Sequence, residues 1–165
     1  MEVFVEELQG VVRKLTKALE KEKKKLAEIL KELEPIKNRL QEIETELLSI
    51  TREIKEHESR IHDIKNHIKR IMQKTLEAET DREIEMLERD RQRLLKELEE
   101  RKAKIQELKE QYQKLVMEEN DLVKKEAELE EKKLLHEQRI QKYIRKIEQE
   151  MRNVQRELDR YKAVH

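Results

Sequence analysis

The sequence predicts an all-α fold: a long antiparallel coiled-coil helical hairpin, with hairpins associating into a dimer or four-helix assembly. Three observations carry this reading: an extreme composition, a long heptad ladder, and a break in that ladder near mid-chain. Of 165 residues, 47% are charged and 2% aromatic, with one Gly and one Pro. Such a chain cannot fill a conventional globular core, and its Glu/Lys/Arg/Leu bias is that of a long helix. Disorder would also suit so polar a chain, but a disordered tail has no reason to hold Leu and Ile on one stripe.

The first helix is predicted over about residues 3–76. Its a positions run Val5, Val12, Leu19, Leu26, Leu33, Leu40, Leu47, Ile54, Ile61, Ile68, and its d positions run Leu8, Leu15, Glu22, Ile29, Ile36, Ile43, Ile50, His57, Ile64, Ile71. A seam sustained over about nine heptads, interrupted only by Glu22 and His57, far exceeds the minimum for a coiled coil. Pro35 faces outward within it, so a bend is expected there, with a helix start at Pro35 as the alternative. Gly10 also faces outward and weakens the first turns.

The turn is predicted at about 77–80. Continuing the first phase would put Thr75, Ala78, Arg82 and Glu85 in the core, whereas a new ladder offset by two residues begins at Ile84 and Leu87. Thr80-Asp81-Arg82-Glu83 reads as a capping box opening the second helix. Lysines before it and acids around it suit the dipoles of one helix ending and another starting. The second helix is placed at about 81–162, making residues 1–165 a single coiled-coil unit. A continuous rod is the competing arrangement, since no Gly or Pro enforces the turn.

Opposing Ile71 with Ile84 sets a register in which Ile61 meets Leu94, Leu47 meets Leu108 and Leu26 meets Leu129. It also places Glu22 against Lys133, a polar layer that would fix the register, and His57 against Leu98. A shift of one heptad, placing Glu22 against Ile140, ranks second.

The second arm has the poorer core, with Arg91, Arg101, Glu119, Glu126, Lys133 and His136 at seam positions. Beside that seam runs a second apolar stripe: Val116, Val123, Ala127, Leu134, Ile144, Met151 and Leu158. After Ile147 the spacing slips to Met151, Val154, Leu158 and Tyr161, a stutter. An apolar flank next to a weak core is a candidate partner interface, for a homodimer or a hetero-assembly through the second helix; the alternative is that it widens the hairpin's own seam.

Thirty-nine acidic and 39 basic residues leave no net charge, so no global field recruits nucleic acid or an anionic membrane. A local basic cluster, Lys21, Lys23, Lys24, Lys25, Arg139, Lys142, Arg145 and Lys146, is the candidate nucleic-acid contact. Glu20, Glu22, Glu130 and Glu131 are interleaved with it in sequence and would repel phosphate. Without cysteine there is no disulfide, zinc-thiolate or thiol chemistry. His57, His62 and His67 are spaced by five residues, a rotation of about 140° per step, so they do not converge on a metal. A pH-sensitive layer at His57 or His136 is the other histidine reading. No phosphate-binding loop, nucleophile with a base, or membrane-length apolar run is present. A soluble cytoplasmic protein is expected, with no enzymatic activity, cofactor or metal.

The segment Thr80-Asp81-Arg82-Glu83-Ile84-Glu85-Met86-Leu87 resembles the hairpin apex of bacterial zinc-ribbon coiled-coil proteins, some of which act in flagellar or secretion regulation. The likeness covers the rod only; without cysteine the ribbon and its zinc are missing. The arms of SMC-type ATPases and the two-helix stalks of secretion systems resemble the chain equally. The leading expectation is a scaffold, tether or adaptor acting through protein–protein contact. The alternatives are a nucleic-acid-associated regulator with a basic open end, and an isolated arm of an SMC-type ATPase.

Overall fold

A computed structural model describes residues 2 to 164. It consists of two long helices, α1 (Glu2–Glu77) and α2 (Asp81–Val164), packed against each other as a hairpin. α1 passes through Pro35 without interruption, and Pro35 is exposed. Its ring therefore costs one backbone hydrogen bond but displaces nothing in the seam.

Residues 78–80 make the turn. The Ala78 N–H donates to the Thr75 carbonyl at 3.4 Å, closing the last turn of α1. The Glu83 N–H donates to the Thr80 hydroxyl at 3.2 Å, and the Glu83 carboxylate accepts from the Glu79 N–H at 3.4 Å. This is a capping box in which the return bond lands one residue before the cap; it satisfies the Glu83 N–H that α2 would otherwise leave orphaned, and the Glu79 N–H of the turn. Acids in the first turn, Asp81 and Glu83, favour the positive end of the helix dipole. Thr80→Ala should cost about 1 kcal/mol; reduced amide protection at Glu83, with the rest of α2 unchanged, would be the signature.

The chain divides into two compact units, each built from both helices: unit 1 is Met1–Arg39 with Leu122–His165, and unit 2 is Leu40–Asp121. In unit 2 the buried residues are the d-position isoleucines Ile43, Ile50, Ile64 and Ile71, facing Leu94, Leu98 and Leu108. Ile64, Ile71, Leu94 and Leu98 form one cluster, with Ile61, Ile68, Leu87 and Leu95 packed against it. The a positions Leu40, Leu47, Ile54, Ile61 and Ile68 are only half-buried. In unit 1 the buried set is Leu19, Ile29, Leu33 and Ile140, with Glu22 among them.

The register differs from the one expected. Glu22 meets His136, not Lys133, and His57 meets Arg101, not Leu98. Each contact, one in each unit, lies three residues further along α2. Lys133 instead lies 3.7 Å from Glu130 on its own helix. The physical reason is visible in the d column. The offset brings Ile64 into one cluster with Leu94, whereas the expected register would set Ile64 against Arg91. It also pairs each polar interruption of α1 with a polar interruption of α2, which matters because an unpartnered polar group in a seam costs its desolvation. One consequence falls at the tip, where Ile84, expected opposite Ile71, is 40% exposed while Leu87 packs on the cluster.

After Ile147 the stutter positions divide: Val154 and Leu158 are half-buried while Met151 and Tyr161 are exposed, and Glu150 and Glu157 of the original phase are half-buried as well. No helix among the described residues is long and apolar enough to cross a membrane.

Candidate functional site

Two features of unit 1 stand out from a uniform coiled coil: a buried ionic layer and an apolar flank. Glu22 is 7% exposed, the only buried charged residue among those described. It interrupts α1 at a d position, so the helix itself aims the carboxylate into the seam. There it accepts a hydrogen bond from His136 Nδ1, and Arg139 Nη1 lies 3.8 Å from its other oxygen. Because a carboxylate only accepts, His136 Nδ1 carries the proton. The His136 bond holds the Glu22 carboxyl below its ordinary range; burial opposes this, and the charges of His136, Lys25 and Arg139 reinforce it.

Unit 2 contains the complementary arrangement. Arg101 Nη1 lies 3.1 Å from His57 Nδ1, and Arg101 Nε donates to Glu97 at 3.3 Å. Guanidinium can only donate, so His57 Nδ1 is the acceptor and must be unprotonated in this contact. Arg60 closes the flank of the same layer with a two-pronged bond to Glu97, at 2.9 and 3.1 Å. That bond holds Glu97 below the ordinary carboxylate range. On an exposed flank this pair specifies alignment more than it adds stability. The two histidine layers thus differ in kind: one imidazole donates to an anion, the other accepts from a cation.

The apolar stripe is divided by the structure. Val116 lies in unit 2 and is half-buried; in unit 1, Ile144 and Leu158 are also half-buried and widen the hairpin's own seam. Val123, Leu134 and Met151 are 48%, 56% and 58% exposed, and Ala127 is exposed with them. In heptad terms these residues fill the e and b columns of α2 beside the seam. The Lys37–Glu130 ion pair, at 3.1 Å, bridges the e columns of the two helices and identifies the flank. On that flank an open groove is lined by Gln9, Val12, Arg13, Met151, Val154 and Gln155. Leu30 of α1, also in an e column, is 45% exposed. Between residues 123 and 158, α2 carries ten Lys and Arg, and none of them occupies an e or b position.

The basic residues expected to cluster are all in unit 1 and exposed: Lys21, Lys23, Lys24 and Lys25 on α1, and Arg139, Lys142, Arg145 and Lys146 on α2. Lys23 lies apart from the others on the e side, 3.9 Å from Glu20. Among the described residues no three His, Asp or Glu side chains are grouped to hold a metal ion. The partnership of Glu22 with His136 and Arg139 was the feature missed in sequence. The available signal was that moving the register by three residues matches polar breaks to polar breaks. Compared with protein-family models, with curated proteins and with solved structures, the chain finds no match.

Proposed function

We propose that this chain is a non-enzymatic tether or adaptor whose unit 1 receives a partner helix, from a second copy or another protein, on the e-side flank of α2. One observation carries the reading. Val123, Leu134 and Met151 stand exposed on a single helix face from which every cation of that stretch is excluded. In a segment so densely charged, a face that carries Val, Ala, Leu, Ile and Met, with Glu130, Glu137 and Glu148 as its only charges, would be a solubility liability if left uncovered. Packing of a further helix there would bury the stripe as a three- or four-helix layer, and the half-buried Glu126 and Lys133 of the adjoining seam fit the rim of such a layer.

Replacing Val123, Leu134 and Met151 together by glutamate is the test. These positions contribute little to the hairpin's own core, so circular dichroism should show helicity unchanged. Light scattering should show the wild-type chain as an assembly and the variant as a single chain. Crosslinking with mass spectrometry should place intermolecular links beside the stripe. A wild-type mass equal to one chain, with no crosslink from that flank to any other chain, would refute the reading.

A further inference from the structure

Unit 1 has a second specialised face, on the flank away from the apolar stripe. In a heptad the e and b columns lie on one side of the seam, g and c on the other, and f faces outward. Between residues 11 and 25 of α1, the c, f and g columns hold Lys14, Lys17, Lys21, Lys24 and Lys25 and no acid. Between residues 132 and 146 of α2, the same columns hold Lys132, Arg139, Lys142, Arg145 and Lys146, again without an acid. All ten are exposed; the seven c and g residues lie on the flank itself, and Lys17, Lys24 and Arg145 in the f columns face outward beside it. Three of the acids interleaved with them in sequence are turned elsewhere. Glu20 is in a b column, Glu22 is buried against His136, and Glu130 reaches Lys37 on the e side. Glu28 and Glu131 border the basic face. Among the described residues only Arg139 of the ten has an ion-pair partner, Glu22 at 3.8 Å.

We propose that this face of unit 1 binds the phosphate backbone of nucleic acid without reading its sequence. Lys132, Arg139 and Lys146 recur every seven residues, about 10 Å along the helix, so the cations form a row and not a point. A row of flexible cations matches a linear polyanion of uniform charge, whose bound counterions are released on contact. An anionic membrane fits less well, because an interfacial helix needs a continuous apolar face beside its cations. Here the basic columns hold only Val11, Ala18 and Leu135 as apolar residues. The acid-rich stretch 77–90 of a second copy is the other candidate anion, but Arg82 and Arg89 interrupt it and it is too short to meet the whole row.

The test is fluorescence anisotropy of the full chain with a labelled duplex of about 25 base pairs across a salt series. Binding should weaken steeply with salt, with a log–log slope of about −4.5 to −6.3 if about five to seven phosphates are neutralised. Replacing Lys21, Lys25, Lys142 and Lys146 by glutamate should weaken binding at least a hundredfold at low salt. The same four positions changed to glutamine should weaken it about tenfold, and this milder set guards against misfolding, checked by circular dichroism. Glutamates at Lys55, Lys65, Lys69 and Lys109 in unit 2 make an equal change in net charge and should shift affinity by no more than about threefold. The proposal is overturned if the duplex does not bind at low salt, or if the unit 2 set weakens binding as much as the unit 1 set. It is also overturned if the reversal abolishes only binding to phosphatidylserine vesicles or only self-association.

Discussion

Replacing Glu22 and His136 together by leucine is expected to raise the midpoint of thermal unfolding, whereas replacing His136 alone should lower it. The single change leaves a carboxylate, 7% exposed, with the charge of Lys25 and Arg139 at 3.8 Å as its remaining compensation for desolvation. Stranding a buried charge in this way costs on the order of 2–4 kcal/mol. The double change removes both polar groups and fills the layer with apolar side chains next to Leu19 and Ile140, which are already buried. Exchanges of buried ion pairs for packed hydrophobes commonly gain about 1–4 kcal/mol. Acidification separates the variants further. The ordinary carboxyl value is 4.5 and the native pairing holds Glu22 below it, so on acidification the unfolded chain takes up its proton first. The stability this group supplies is therefore complete above the ordinary carboxylate range, falls as the pH drops through the native value, and is absent below it. The doubly substituted chain should lack that component of its pH dependence. A double variant less stable than wild type at neutral pH would show that the layer is a net stabiliser.

The same layer has a second consequence, for alignment. A seam of repeating Ile and Leu offers neighbouring registers of similar energy, because any slip by a heptad again sets apolar against apolar. Glu22 with His136 and His57 with Arg101 break that degeneracy, one in each unit. A slip by one heptad would set the Glu22 carboxylate against Leu129 in one direction and the Arg101 guanidinium against Ile64 in the other. The leucine pair should therefore raise stability and loosen register at once, measurable as additional crosslinked positions along α2.

How much of this was legible in the sequence can be judged residue by residue. The helices, the turn and its capping box follow from local rules: heptad phase, Thr80 followed three residues on by Glu83, and the charge change across the turn. Those signals are carried by neighbours in sequence, and the structure shows the two helices and the capping bonds. The register was not legible in the same way. Matching a with d along the rod gave most leucines an apolar partner, yet it left Glu22 facing Lys133, His57 facing Leu98 and Ile64 facing Arg91. Hydrophobic burial alone barely distinguishes registers a few residues apart; the cost of the unmatched polar groups does. The basic face had a related obstacle. Glu20, Glu22 and Glu130 read as neighbours of the lysines along the chain, and only their columns around the helix separate them. The partner stripe was legible as a pattern, but not which members stay exposed, because Ile144 and Leu158 lean on the hairpin's own seam while Val123, Leu134 and Met151 do not.

Within unit 2, unequal burial of the a and d columns of α1 leads to the largest expected loss from a single apolar truncation. Ile64→Ala should destabilise unit 2 by about 2–4 kcal/mol, since it removes apolar area and leaves a cavity that its neighbours cannot fully close. Ile64 is 0% exposed and is held by Ile71, Leu94 and Leu98. Ile54, an a residue of the same unit, is half-buried, so its truncation loses less apolar area and opens onto solvent; about 1 kcal/mol is expected there. Met72→Ala, at 55% exposure, should stay within about 0.5 kcal/mol. Denaturant midpoints of the three variants test this order, and amide exchange should locate the Ile64 effect within residues 40–121. If Ile54→Ala and Ile64→Ala cost the same, the two columns share the burial equally and the offset register is wrong. The comparison needs no partner and no ligand, because the register decides it alone: a d-column isoleucine level with Leu94 is sealed, and one facing Arg91 is not.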